Sequence, residues 1–313
     1  MSGAGAGGNQ EQPRRLLVIH NTTAGRRAAK KLAAWRKALD ALGAEVTLRH
    51  TEGPLHALEI ARGADAQRFD AVAVAGGDGT INEALNGLVG SALPLALLPL
   101  GTANVLANEL RLPRDLEALA RIAAFTPARL VRPGEILSAD RVEPWRFLLM
   151  AGVGFDAQVV AHLDLKLKRR IGKGAYVIGS LQQLLCRPLM RFPAIIDDHA
   201  AWPASIVVAR AHFYGGRFVL APKATLDSDQ LYAVLFERTS RVSTARYVLA
   251  TMAGCLSHQR DVRVSAAAHI EIAGPPGAPV QMQVREVGTP THRQATQPAA
   301  AQPVAVATAA PTP

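Results

Sequence analysis

Residues Asp70–Leu85 read DAVAVAGGDGTINEAL: an apolar run, then Gly-Gly-Asp-Gly, then a stretch with helix-forming residues. An unbroken apolar segment of this length predicts a strand buried on both faces, as in a parallel sheet. The glycines let backbone approach a ligand closely, and the following helix directs its free N–H groups there, which favours an anion. Asp78 would repel a phosphate on its own. Its presence makes sense if it holds Mg²⁺ or accepts a proton from an attacking hydroxyl. The plainer alternative is a tight turn in which Asp78 caps the helix.

Working outward, Leu93–Leu110 (LPLALLPLGTANVLANEL) has the same design: apolar strand, Gly101-Thr102, then helix. Two such loops at the carboxyl ends of parallel strands share the rim where open α/β sheets bind ligands. Upstream, Leu16–His20 and Glu45–His50 read as strands. Arg26–Leu42 reads as a helix with Leu32, Trp35, Leu39 and Leu42 on one face, and Pro54–Ala66 as another helix. The second half changes character. Phe147–Gly152, Ser205–Ala211, Phe218–Leu220, Leu231–Phe236, Val262–Val264 and His269–Ile272 are short β-rich pieces, which predicts an antiparallel sandwich. Helices over Ala157–Leu185 and Ser243–Leu256 interrupt it. The expected fold is an α/β N-terminal domain with a parallel sheet over 14–130, followed by an all-β sandwich with inserted helices over 131–287. Residues 1–13 form a Gly-rich lead-in and 288–313 an Ala/Pro-rich tail, both expected to lack structure.

Apolar residues are 49% of the 313 and charged residues 19%, with a net charge of +10, so the chain can bury two cores and attract phosphate-rich partners. The two cysteines, Cys186 and Cys255, have no metal-ligand spacing, and the N-terminus lacks the apolar stretch of a signal peptide. No apolar run approaches the ~18 residues of a membrane-spanning helix. These features predict a cytoplasmic protein with peripheral membrane contact. Nucleic acid is not expected as a partner, because no aromatic-plus-basic strand pattern accompanies the charge.

The motifs Asn21-Thr-Thr-Ala-Gly25, Thr51 in RHTEG, Gly76–Glu83, Pro99–Asn104 (PLGTAN), Gly152–Ala157 (GVGFDA) and Gly215-Gly216…Ala221-Pro222…Asp229 occur in one order over about residues 15–286. Together they resemble the diacylglycerol kinase catalytic-domain family, which includes sphingosine kinases and bacterial lipid kinases. GGDGT alone is shared with NAD kinases and loosely with phosphofructokinases. The resemblance implies an N-terminal domain like theirs, a lipid-binding sandwich, and ATP in the cleft between them. It implies nucleotide contacts from Asn21, Thr51, Gly76, Gly77, Asp78, Gly79, Thr80, Ile81, Asn82 and Thr102, with Asp78 catalytic and Asp156 facing the lipid head group. A Mg²⁺ would be held by Asp229 and the carbonyls of Leu226 and Leu231. Implied partners are a diacylglycerol or sphingoid-type lipid and an anionic membrane surface, with a homodimer left open.

Two departures from that pattern stand out. Val105 occupies the position where many bacterial relatives have Asp. The closing Asp-Gly-Glu is reduced to Gln283-Val-Arg-Glu286, which leaves Glu286 as the general base without the residues that would position it. The family's final strand is expected to be replaced by the tail. The basic run Lys166, Lys168, Arg169, Arg170 and Lys173 reads first as a solvated helix face and second as a contact for lipid head groups. An NAD kinase and a non-catalytic nucleotide- or lipid-binding relative are the rival readings.

Overall fold

The computed structural model describes residues 12–138, 143–154, 190–273, 281–286 and 304–307, with the backbone alone for 281–286. The first domain runs β1 (Arg15–Asn21), α1 (Arg26–Ala41), β2 (Glu45–Thr51), α2 (His56–Arg62), β3 (Ala71–Gly76), α3 (Asp78–Gly87), β4 (Leu95–Pro99), α4 (Val105–Glu109), α5 (Leu116–Phe125) and β5 (Ala128–Val131). Strands β2, β1, β3 and β4 lie side by side and parallel. Alternation along the strands divides their side chains between two layers. Leu17, Ile19, Val72, Val74 and Leu97 pack on α2, α3 and α4. Leu16, Val18, Ala73 and Leu98 pack on α1 and α5, where Trp35 is fully buried.

The second domain comprises β6 (Gly134–Ser138), β7 (Trp145–Phe147), β8 (Met150–Gly154), β9 (Ala194–Ile196), β10 (His199–Ala201), β11 (Ser205–Ala209), β12 (Phe213–Tyr214), β13 (Phe218–Val219), β14 (Leu231–Phe236), α6 (Arg241–Met252), β15 (Val262–Ala267), β16 (His269–Ala273) and β17 (Gln281–Glu286). Its two main sheets, ordered β10-β9-β16-β17-β6-β7 and β15-β14-β11-β8, are antiparallel throughout. Phe147, Ile196, Ile206, Leu231 and Ile270 fill the space between them. The outer face of the smaller sheet is covered by α6 through Tyr247 and Ala250.

Two elements depart from the sequence reading. The tail is not structureless over its whole length, because β18 (Val304–Ala307) returns to the first domain. It inserts between β4 and β5, parallel to the first and antiparallel to the second. The sheet is therefore mostly rather than wholly parallel. Val306 and Ala307 are buried one in each core layer, so four apolar residues in an Ala/Pro context suffice to fill a strand position. The second departure is α5, whose Asp115 accepts from the Ala118 N–H as an N-cap. The helix expected over Ala157–Leu185 lies outside the described residues.

Candidate active site

β3 ends at Gly76 and α3 starts at Asp78, within the Gly-Gly-Asp-Gly that the sequence reads as loop, so Asp78, Gly79 and Thr80 form the first turn of the helix. Gly77 meets Gly101 of the second loop backbone to backbone. A Cβ on Gly101 would lie 2.6 Å from the Gly77 Cα, and one on Gly77 would lie 3.2 Å from the Gly101 Cα. Only residues without side chains allow the two loops to touch in this way.

Asp78 links the loops a second time. Its carboxylate accepts the N–H groups of Val105 and Leu106, at 3.0 and 3.1 Å. The cap of α4 thus comes from the other loop, since Asn104 at its own N-cap position makes no capping bond. Both the metal and the proton-acceptor readings of Asp78 meet this commitment: its oxygens already hold two charge-assisted hydrogen bonds. Neither reading had α4 as the capped helix. The Asn104 Oδ1 is buried between the loops with no donor among the described residues, a cost that protein folds rarely leave unmet.

The remaining candidate residues divide by direction. Asn21 donates to the buried Thr80 hydroxyl at 2.8 Å and accepts from Thr23 N–H and Oγ1, which fastens the end of β1 to the first turn of α3. Thr51 is buried beside it, its carbonyl 3.5 Å from Thr22 Oγ1. Gly79 and Thr102 are exposed on the open side of the loops. Ile81 is core. The Asn82 amide, in the orientation that satisfies its neighbours, accepts from Trp145 Nε1 (2.9 Å) and donates to the Arg146 carbonyl (3.1 Å). Its side chain thus joins α3 to the second domain. Asn86 does the same, with its amide exchanging hydrogen bonds with Arg146 O (2.9 Å) and N (2.8 Å).

A second junction lies at α4. Glu109 accepts from the Phe213 N–H, and Asn108 bonds Gly216 O (3.1 Å) and Arg217 Nε (3.1 Å). Burial pushes the Glu109 carboxyl above its ordinary range, partly offset by the N–H of Phe213. Next to Asn21 and Thr51, His20 and His50 face each other with Nδ1 atoms 3.1 Å apart. Burial, then the neighbouring His50, holds the His20 imidazole below the usual histidine value.

A third junction is the loop from Leu226 to Leu231, where the resemblance implies a metal. Its oxygen donors suit a hard cation by type, but arginines hold most of them. Asp229 pairs with Arg132 Nε at 2.8 Å, and the Leu226 carbonyl faces the Arg132 N–H at 3.4 Å. The fully buried Arg210 donates to the carbonyls of Arg132, Ser228 and Gln230. Sequence reading missed Arg210; an Arg following the apolar run of β11 was its one signal. No group of three or more His, Cys, Asp or Glu side chains suited to a metal occurs among the described residues. A metal held at this loop by Asp229 and the Leu226 and Leu231 carbonyls would have to displace Arg132 from Asp229. Asp156 and the basic run Lys166–Lys173 lie outside the described residues. The backbone of Glu286 pairs with Gly134, at the crossing between the domains.

The family described as "Diacylglycerol kinase catalytic domain" matches residues 15–136, and "YegS C-terminal NAD kinase beta sandwich-like domain" matches residues 150–306. The chain belongs to the lipid kinases with a diacylglycerol kinase catalytic domain, the YegS-like ones among them. The kinase is 29% identical over 260 residues to the diacylglycerol kinase of Bacillus subtilis, covering 80% of this chain and 82% of that protein. It is 32% identical over 222 residues to a Pseudomonas aeruginosa protein named "Probable lipid kinase YegS-like", covering 69% and 70%. A crystal structure of a diacylglycerol kinase from Bacillus anthracis superposes with a TM-score of 0.60 at 20% identity, covering 87% of this chain and 94% of that one, which shows the shared fold. As a member of this family, the kinase is a phosphotransferase that acts on a hydroxyl.

Proposed function

We propose that this lipid kinase transfers the γ-phosphate of ATP to the hydroxyl of diacylglycerol or a sphingoid-type lipid. The observation that carries the reading is the contact of Gly77 with Gly101, fastened by Asp78 across to α4. It brings the two loops together, and Gly79 and Thr102 beside the contact are exposed. The first N–H groups of α3 have no acceptor within the helix and suit the triphosphate. Thr51 lies beside Asn21, which steadies Thr80.

Mg²⁺ carried by the triphosphate would neutralise its charge during transfer. The chain's own contribution is then mostly positioning. In this account Asp78 is a positioning residue that keeps both loops in register, and Asn82 and Asn86 set the sandwich against the nucleotide domain. Asp156 is proposed to orient the lipid head group. Glu286 is proposed as general base, a role supported by its backbone position opposite Gly134.

The test is purified protein with γ-labelled ATP and Mg²⁺, offered diacylglycerol, sphingosine and NAD in parallel. Label in a lipid product, with loss on Asp78→Ala, supports the reading. Label in NAD alone, or unchanged turnover in the variant, overturns it.

A further inference from the structure

Helix α6 buries Thr244, Tyr247 and Ala250 against the smaller sheet and turns its other side outward. On that side Val242 is 81%, Leu249 66% and Met252 46% exposed. The spacings of seven and three residues put these three on one stripe of the helix. Single exposed apolar residues need no explanation, but an aligned stripe on one helix does.

The same helix carries Arg241 and Arg246, and Arg263 beyond it pairs with Glu237 at 2.8 Å. Residues 237–263 contain Arg238, Arg241, Arg246, Arg260 and Arg263 against Glu237 and Asp261, a net of +3. Asp261 is consumed locally: Arg246 and Arg238 both pair with it, and Tyr247 donates to it at 2.9 Å. Burial, with the bond to Asp261, raises the Tyr247 hydroxyl to about 12, so it adds no negative charge to this face. An apolar stripe on a helix that carries arginines matches the two layers of an anionic bilayer, acyl boundary and head groups.

The competing occupants suit the face less well. A second copy docking the same face would set like charges against each other. The chain segment 155–189 carries six basic residues against Asp156 and Asp164, so it too would be repelled.

We infer that α6 is the surface by which the kinase docks on an anionic membrane, its Val242–Leu249–Met252 stripe entering the head-group boundary. The inference rests on the lipid-kinase reading, since it is the lipid acceptor that lies in a membrane. The fold connects the docking helix to the phosphate loops. α6 packs beside β13, β13 pairs with β12, and the β12–β13 hairpin is bonded to Glu109 and Asn108 of α4. Docking at α6 therefore presents a fixed side of the α4 junction to the bilayer.

The experiment is co-sedimentation of the full chain with vesicles of phosphatidylcholine alone and of phosphatidylcholine with phosphatidylglycerol, at low and physiological salt. The expected result is binding to the anionic vesicles that weakens with salt, and a loss of roughly tenfold in affinity for the Val242→Ser, Leu249→Ser double variant. The thermal midpoint, ATP affinity and turnover on a water-soluble short-chain diacylglycerol should stay as in the wild type. Equal vesicle binding by the variant, binding indifferent to lipid charge, or a dimer that dissociates on these substitutions would overturn the inference. Recruitment to vesicles with no phosphorylation of any lipid would instead sink the kinase reading and leave the docking surface standing. Turnover on the short-chain lipid without recruitment would do the reverse.

Discussion

Asp78, singled out by its place in one motif, has its hydrogen-bond partners in the other. Its position in GGDGT points to a phosphate site, but which N–H groups it reaches depends on a loop 27 residues away. Replacing it with Ala leaves the Val105 and Leu106 amides uncapped, which should cost about 1–2 kcal/mol in urea denaturation, besides the loss of turnover. Gly101→Ala tests the contact itself. A Cβ 2.6 Å from the Gly77 Cα forces the loops apart, so ATP affinity by calorimetry should fall about tenfold or more and the melting temperature should drop with it. The His20–His50 pair gives a pH dependence. Folding holds His20 below the ordinary value of 6.5, so the unfolded chain binds the proton more readily. Its contribution is present above about pH 6.5 and is lost as pH falls below it, and His20→Asn should flatten that part of the stability profile.

At the scale of elements, β18 carries the sharpest expectation. Removing residues 304–313 leaves a gap between β4 and β5 and exposes the surfaces that Val306 and Ala307 cover. The truncated chain should lose its cooperative melt by circular dichroism or aggregate through the open edges. The parallel strands and their helices were legible because their apolar runs are long and their periods clean: β1, α1 and β14 lie within a residue or so of the reading. β18 was not, because VAVA is too short to stand out from an Ala/Pro background and its partners are more than 170 residues away. α5 was legible in principle from the Asp115 cap and the Leu116, Leu119, Ala120, Ala123 face, yet it follows the second loop and draws less notice than the motif. The close approach of the two loops was legible from their glycines. The partners of Asn82, Asn86 and Glu109 were not, since each is supplied by the other domain.

Among the described residues, the hydrogen bonds that join the two domains include those of the α3 asparagines to β7, of α4 to the β12–β13 hairpin, and of Arg210 beneath the crossing. The last is the most costly to break. Arg210→Met leaves three carbonyls without their donor, and a loss of about 2 kcal/mol in urea denaturation is expected. Because the nucleotide cradle belongs to the first domain and the proposed lipid contacts to the second, weakening a junction should reduce turnover more than ATP affinity. Asn86→Ala is the mild variant that tests this, with calorimetry for ATP and labelled lipid for turnover. The central claim is that the two joined loops hold ATP for transfer to a lipid hydroxyl. The most direct measurement is mass-spectrometric identification of the product formed from ATP and a mixed lipid panel by wild type and Asp78→Ala. A phosphorylated lipid made by the wild type and absent from the variant is predicted; a wild type that binds ATP and leaves every lipid unchanged would contradict the account.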